Sequence, residues 1–432
     1  MIKKKQSFFK KYVIDNSIFL ILISNTLFAS FIMQENSRSI IVLTNYIVVV
    51  VLMLFCILNY KISFNKINIL IILLLSYFMI LLFFSSDQFI SFNYYVKFVL
   101  GMAMFTLSYS AFKTKEDIMK LFHASIIILT FGVGFFIITN MLGYGDSMYP
   151  GQFIYKGQSH NLIWTMYSVA TLVIFQMFFS NIRNIYKMYV MVLIALVIIT
   201  LLLIFKRTPL IIIFVGIILY FGLYKYKYKV RFFIGLMIIF IIGISFYPIW
   251  FDSLKQNIYT RYDRLQGLKS FEREGRYLEN IAVIQYVSKN PLYIIFGSGE
   301  PFNSRHRYDA YSLLLKYDRQ IHNNYANLLW SGGVIGLTLY IIIFLLIIKK
   351  YLYFKKRSLK YSFEYLLALS GLVLSIIYLV TGFSGGLTLI VYQSYILTCI
   401  GAFLGYLSFQ YYVKKSKNLK KVKLVLEPGE KR

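Results

Sequence analysis

The residues of this chain that could do chemistry gather where polar segments meet long apolar runs. His322 is followed by Asn323, Asn324 and Tyr325, and a long apolar run begins at the same point. If that run is a helix, the positive end of its dipole disfavours the imidazolium, so the ring stays neutral and able to accept a proton. The asparagines could bind sugar hydroxyls, or they could cap the helix. A histidine at such a junction is also compatible with capping or with anchoring at a membrane interface.

Two arginines could hold an anion. Arg207 opens an apolar run with Pro209 just inside it, and proline suits the first turn of a helix. The free N–H groups of a helix start favour an anion, and a guanidinium adds a bidentate grip on phosphate. Arg207 is equally compatible with a cation held at the outer membrane interface. Arg276 lies near two glutamates, so a surface ion pair is the plainer interpretation when it is taken alone.

Other polar residues are candidates for contact with a substrate. His160 and Asn161 open a further apolar run, where helix capping is the plainer interpretation. Arg273, Arg305 and Arg307 share the long polar segment that holds Arg276. The polar segments show no metal-ligand spacing and both cysteines lie in apolar runs, so the sequence predicts no metal site, no cofactor and no disulfide.

The composition indicates a membrane protein with many spans. Of 432 residues, 59% are hydrophobic and 15% are charged, whereas soluble domains are about 45–50% apolar and about 25% charged. The net charge of +29 comes mostly from lysines in short segments between apolar runs. The positive-inside rule predicts that distribution, so nucleic acid is not an expected partner.

The apolar runs predict about twelve transmembrane helices, because about 20 apolar residues cross a hydrocarbon core. Spanning segments must satisfy their backbone hydrogen bonds internally, which predicts an all-α fold. Counting 188–205 and 209–224 as two spans puts the basic N-terminus on the same side as the later basic clusters, so both termini are predicted to be cytoplasmic. The predicted spans are 14–33, 40–58, 67–84, 94–112, 118–140, 161–181, 188–205, 209–224, 232–250, 325–348, 363–382 and 388–409.

The chain divides into four parts. Residues 1–250 hold the first nine spans, 251–324 form an extracytoplasmic loop, 325–409 hold the last three spans, and 410–432 form a basic cytoplasmic tail. Within the loop, the apolar residues that follow Leu278 have near-helical spacing, which predicts a helix lying at the membrane interface. Asn290-Pro291 is predicted to end that helix, and Phe296-Gly297-Ser298-Gly299 to form a turn.

The order of these motifs resembles the O-antigen polymerase and O-antigen ligase superfamily (Wzy/WaaL type). An outward arginine at a hairpin comes first, and Lys206 stands before it where the family usually has serine. The remaining motifs are Glu274-Gly275-Arg276, Asn290-Pro291-Leu292, Gly297-Ser298-Gly299, and His322-Asn323-Asn324-Tyr325 running into Gly332-Gly333-Val334-Ile335-Gly336-Leu337. The detailed resemblance covers about residues 150–350.

The resemblance implies a GT-C-like membrane glycosyltransferase in the cell membrane, with its active site on the extracytoplasmic face. Its donor would be a sugar chain on undecaprenyl pyrophosphate, transferred with inversion and without a metal. Arg207 and Arg276 would hold the leaving pyrophosphate, and His322 would orient the acceptor hydroxyl or take its proton. The other polar residues named above would contact the substrate: His160, Asn161, Arg273, Arg305, Arg307, Asn323, Asn324 and Tyr325. A flippase and a chain-length regulator are the expected protein partners, besides membrane lipid.

Three alternatives stay open. A polymerase and a ligase share this set of residues and differ in the acceptor. The abundance of Ile, Lys, Asn, Tyr and Phe favours an AT-rich Gram-positive genome, and hence a polymerase of capsular or surface polysaccharide. A lipid-linked oligosaccharide flippase would more commonly show charged or broken helices at mid-membrane. A non-catalytic assembly protein would need no histidine–arginine set.

Overall fold

Helices account for every regular element in the part of the chain that the structure describes. The computed structural model describes residues 16–31, 35–60, 62–85, 88–142, 165–166, 168–170, 184–204, 212, 215–216, 218–219, 275–299, 321, 323–360, 362–383 and 390–426. The longer helices are α1 (Ser17–Phe31), α2 (Glu35–Asn59), α3 (Lys66–Leu81), α4 (Gln88–Ala111), α5 (Lys115–Met141), α6 (Asn184–Ile204), α7 (Gly275–Val287), α8 (Pro291–Phe296), α9 (Asn324–Arg357), α10 (Phe363–Gly382) and α11 (Ile390–Leu426). A 3₁₀ turn at Leu82–Phe84 continues α3.

The predicted all-α membrane class is confirmed. Nine of the predicted apolar runs coincide with α1–α6 and α9–α11, while 161–181, 209–224 and 232–250 lie wholly or largely outside the described residues. The count of about twelve spans and their sidedness therefore stay predictions. Among the described residues, five helical segments are long and apolar enough to cross a membrane: Lys66–Phe84, Lys115–Thr139, Asn324–Arg357, Phe363–Gly382 and Val391–Lys414.

The lipid-facing character of the bundle is visible on α3. Its buried face includes Ile71, Leu74 and Phe78, which pack into the core. Its opposite face is also apolar, with Leu73 and Ile80 more than half exposed. A helix in a soluble protein would carry polar residues there, so this outward apolar face is suited to hydrocarbon.

Small residues let the bundle helices approach closely. A Cβ on Gly401 or Gly405 of α11 would collide with the backbone of Phe105 or Tyr109 of α4, so these two helices touch backbone to backbone. Such small-residue interfaces drive helix association where lipid removes the hydrophobic driving force. A buried polar contact ties α5 to α11, since the Tyr395 hydroxyl donates to Ser125 Oγ at 2.7 Å.

Helix ends that the prediction places on the same side of the membrane lie together. At one end, Gln410 of α11 donates to the Lys113 carbonyl at 3.2 Å. At the other end, the Tyr325 hydroxyl at the start of α9 donates to the Leu379 carbonyl near the end of α10, at 2.5 Å. The second end also receives α7 and α8, which pack against α9 and form the surroundings of the candidate site.

Two features of this end differ from the sequence-based expectation. Asn290-Pro291 ends α7 as predicted, but it also starts α8: Asn290 Oδ1 accepts from the Leu292 N–H at 2.9 Å, and proline occupies the first turn. The apolar run predicted as one continuous span at 325–348 is broken at Gly333, where φ is +60° and ψ is −162°. Only a glycine reaches that backbone region without strain.

Candidate functional site

The structure places part of the predicted site. Arg276 lies in the first turn of α7, and Asn323, Asn324 and Tyr325 stand at the start of α9. The other predicted site residues lie outside the described residues: His322, Arg207, His160, Asn161, Arg273, Arg305 and Arg307. The described geometry therefore concerns the helix that carries Arg276 and the segment directly beside His322.

Asn323 joins these two parts. Its Oδ1 accepts from the backbone N–H of Tyr325 at 2.9 Å and of Ala326 at 3.4 Å, so it is the N-cap of α9. Its Nδ2 donates to Asn280 Oδ1 on α7 at 3.1 Å. Of the two interpretations of Asn323, capping is the one that its side chain fulfils in this structure.

The bond to Asn280 brings the Arg276 turn of α7 close to the start of α9. Arg276 is four residues before Asn280, a spacing that puts both on one face of a helix. Four residues correspond to about 6 Å along the helix axis. Since Asn323 directly follows His322 in the chain, this contact predicts that His322, which lies outside the described residues, is near the Arg276 turn.

An apolar cluster holds α7 and α8 against α9. Tyr286 of α7 stacks on Trp330 of α9 with ring centroids 4.2 Å apart, and on Tyr293 of α8 at 5.4 Å. Ala282 and Val283 are buried in the same cluster. Aromatic pairs contribute about 0.5–1.5 kcal/mol each beyond the area they bury, so α7, α8 and the first turns of α9 form one unit.

Glu279 is a further candidate site residue, for which the sequence alone predicted no role. Its side chain is fully buried, at 0% exposed. It extends the buried face of α7 that includes Val283 and Tyr286, at the helical spacing i, i+4 and i+7. A carboxylate is seldom buried without a compensating partner. The periodicity of the buried face was the available signal for this residue.

The break at Gly333 separates the start of α9 from the part that crosses the bundle. Two carbonyls at the break have donors from outside α9: the Ser298 N–H donates to Trp330 O at 2.7 Å, and the Tyr77 hydroxyl of α3 lies 2.9 Å from Gly332 O. The same hydroxyl is 3.1 Å from Phe296 O at the end of α8. The first nine residues of α9, 324–332, are thus a separate half-helix fixed by α3 and α8.

The glycines of this region serve close packing. A Cβ on Gly333 would lie closer than van der Waals contact to the backbone of Ile295 and Gly297. A Cβ on Gly332 or Gly336 would press on the ring of Phe78 in α3, so both glycines allow close helix packing. The half-helix could not take its place with larger residues at these positions.

Asn324 and Tyr325 are both predicted to contact substrate, and Tyr325 is engaged with α10. Asn324 is buried. The Tyr325 ring lies 4.7 Å from that of Phe383, and its hydroxyl is bonded to α10. Their substrate contacts stay predictions, as do the roles of all the predicted site residues.

The contact between Asn280 and Asn323 can be tested by a double-mutant cycle. Asn323→Ala removes a helix cap and the bond between helices, so it should lower the free energy of unfolding by about 1–3 kcal/mol. Asn280→Ala removes the bond alone, and we expect a coupling energy of about 0.5–1.5 kcal/mol between the two substitutions. The measurement is denaturant unfolding of the protein in detergent micelles. Asn290→Ala, which removes the cap of α8, is the matched control and should show no coupling to Asn280→Ala; a coupling of zero for both pairs would contradict the contact.

Among the described residues, no group of three His, Cys, Asp or Glu side chains could hold a metal ion. Most of the polar loop lies outside those residues, so the absence of a metal stays a prediction for the protein as a whole.

Together, the apolar bundle and the helices α7 and α8 docked at one end of it define a multi-pass membrane protein with a candidate site at that end. Residues 190–341 match the family model described as O-antigen ligase. This match confirms the resemblance to the O-antigen polymerase and ligase superfamily. The matched range runs from α6 to the middle of α9 and includes the positions of Arg207, Arg276 and His322. It supports an enzyme of the glycosyltransferase type with a lipid-linked glycan as substrate. No curated protein matches the chain.

Proposed function

We propose that this protein polymerises undecaprenyl-pyrophosphate-linked oligosaccharide repeat units on the outer face of the cell membrane. The observation that carries the proposal is the bond between Asn280 and Asn323. It connects the helix of Arg276 to the residue that follows His322, inside the segment that matches the O-antigen ligase family. With His322 and Arg276 at one helix end, as we propose, the histidine serves the attacking hydroxyl and the arginine serves the leaving pyrophosphate.

In the proposed reaction, a hydroxyl oxygen of the acceptor glycan attacks the anomeric carbon of the donor. The bond from that carbon to the pyrophosphate oxygen breaks, and undecaprenyl pyrophosphate leaves with the electron pair. Attack from the opposite side inverts the anomeric configuration. If His322 is the base, it takes the hydroxyl proton, and general-base help is typically about 10²–10⁴-fold. If it only orients the hydroxyl, the proton passes to water or to the leaving pyrophosphate.

Arg276 and Arg207 are proposed to bind the leaving pyrophosphate. Negative charge grows on that group as the bond breaks, so preorganised guanidinium groups stabilise the transition state more than the ground state. Two arginines supply the charge that a divalent cation supplies in other glycosyltransferases, which is why we propose a metal-independent reaction. The buried Glu279, three residues after Arg276, is suited to holding that arginine in place.

The deciding experiment incubates the purified protein in lipid nanodiscs with lipid-linked repeat units extracted from the strain that encodes it. A polymerase gives a ladder of products that differ by one repeat unit. A single transfer to a different lipid or glycan acceptor would instead identify a ligase, the second candidate within the same superfamily.

The broken helix α9 bears on the flippase alternative, because transporters often bind substrate at unwound helices. Here the carbonyls of Trp330 and Gly332 at the break are already bonded to Ser298 and Tyr77. A glycan would have to displace both donors in order to bind there. Because both carbonyls already have donors, we favour a positioning role for the break. The flippase alternative would be supported if the protein moved lipid-linked glycan across vesicle membranes without forming any glycan product.

A further inference from the structure

Two lysines converge on one aromatic ring at the far end of α9. Lys113, in the turn between α4 and α5, has its Nζ 5.3 Å from the ring centroid of Tyr109. Lys350, on α9, has its Nζ 5.9 Å from the same centroid. Lys350 is 17 residues beyond the break at Gly333, or about 25 Å of helix, so this pair is remote from the candidate site.

The Tyr109 ring, on which both lysines converge, is held in place by its neighbours. Tyr109 is 6% exposed, and it stacks on Phe105 with centroids 6.3 Å apart. The Lys113 Nζ donates to the Tyr109 carbonyl at 2.9 Å, while Gln410 of α11 donates to the Lys113 carbonyl. The two ammonium groups are therefore attached to a rigid part of the bundle, where α4, α9 and α11 meet.

Asp117, four residues after Lys113, is engaged at the start of α5. The carboxylate of Asp117 accepts from the Thr114 N–H at 3.0 Å and its hydroxyl at 2.7 Å, which caps α5. Within the described residues, neither Lys113 nor Lys350 forms an ion pair with Asp or Glu. Both lysines are half-buried, and burial lowers the pKa of the Lys113 ammonium. Ammonium groups taken from water without a counter-charge are costly, so a bound anion would stabilise them.

We propose that Lys113 and Lys350 bind the phosphate of an anionic membrane phospholipid. Each ammonium group lies within 6 Å of the centroid of one ring, so the two are at most about 11 Å apart. The flexible four-carbon stems of the two lysines can close that gap on a single phosphate beside the ring. The Phe409 ring is 5.9 Å from the Lys113 Nζ and is 41% exposed. An exposed aromatic side chain beside paired cations matches the boundary between a lipid headgroup and its acyl chains, and free phosphate would leave that side chain uncovered.

The test measures retention of phosphatidylglycerol by the purified full-length protein, using native mass spectrometry and thermal melting. We expect Lys113→Gln and Lys350→Gln each to weaken retention about fivefold, because one lysine near an anionic headgroup contributes about that factor. Lys113→Arg keeps the charge and should retain the lipid. Lys349→Gln is the matched control, since this exposed lysine adjoins Lys350 and its removal changes the net charge equally.

Three outcomes would overturn the proposal. Equal weakening by Lys349→Gln and Lys350→Gln would mean that only diffuse charge attracts the lipid. Equal thermal protection by inorganic phosphate would identify a free anion as the occupant. Unchanged retention in both Lys113→Gln and Lys350→Gln, with both proteins folded, would place the lipid elsewhere.

Discussion

His322→Ala should lower glycan transfer by about 10²–10⁴-fold, the usual contribution of a positioned general base. Arg276→Ala should lower it by about 10²–10³-fold, as expected for the loss of a group that stabilises developing negative charge. Both variants should insert in the membrane, because Asn323 and the Tyr286–Trp330 stack continue to hold α7 against α9. His322→Ala should melt close to the parent protein, whereas Arg276→Ala should melt lower because it leaves the buried Glu279 without its proposed partner, so activity is compared per folded molecule. The measurement is the rate of product formation from lipid-linked repeat units.

Matched controls exist for both substitutions. His123→Ala removes an exposed histidine on α5, and Arg357→Ala removes an exposed arginine at the other end of α9. Neither residue is near the candidate site, so both variants should keep full activity. If His322→Ala or Arg276→Ala retained the parent rate, the proposed reaction would have to rely on other residues.

A second substitution separates the two tasks proposed for His322. His322→Gln keeps a hydrogen-bonding side chain of similar reach but removes the ability to take a proton near neutral pH. If His322 positions the acceptor hydroxyl, His322→Gln should recover much of the activity lost in His322→Ala. If it is the base, the glutamine variant should be as slow as the alanine variant. The rate of the parent protein should then decrease as the pH is lowered, because the imidazole becomes protonated.

The length and polarity of the apolar runs were sufficient to predict the helices. Runs such as 67–84 and 363–382 coincide closely with α3 and α10. A single segment in hydrocarbon can satisfy the hydrogen bonds of its backbone internally by forming a helix. The cap of α9 was also within reach of the sequence, since an asparagine before an apolar run is a common N-cap.

Contacts between distant segments could not be predicted in the same way. Gly332 and Gly333 lie within an apolar run, and the break in α9 depends on Tyr77, more than 250 residues earlier, and on the end of α8. The bond from Asn323 to Asn280 and the burial of Glu279 likewise arise only when α7 docks on α9. These features belong to tertiary packing, which overrides the local preference of a single run.

The break at Gly333 has a mechanical consequence for the candidate site. Residues 324–332 leave the axis of the membrane-crossing helix, and their orientation is set by α8 and Tyr77 instead. Asn323 caps this half-helix and contacts α7. The direction of the segment beside His322 is therefore fixed by the packing around Gly333, although that glycine is eleven residues away in sequence.

Gly333→Ala should accordingly destabilise the protein by more than about 3 kcal/mol. The backbone conformation alone costs a residue with a Cβ about 1–3 kcal/mol. The added carbon also collides with the backbone of Ile295 and Gly297. Thermal unfolding in micelles measures the loss of stability. Transfer activity per folded molecule should also fall, since the half-helix must turn to relieve the collision.

Gly134→Ala is the matched control: a Cβ there meets nothing within 4 Å, so alanine at this helical position should leave the stability unchanged or raise it by up to about 1 kcal/mol. Normal stability of Gly333→Ala would show that the break is not required by the packing. Reduced stability with unchanged activity per folded molecule would show that the orientation of residues 324–332 does not control the reaction.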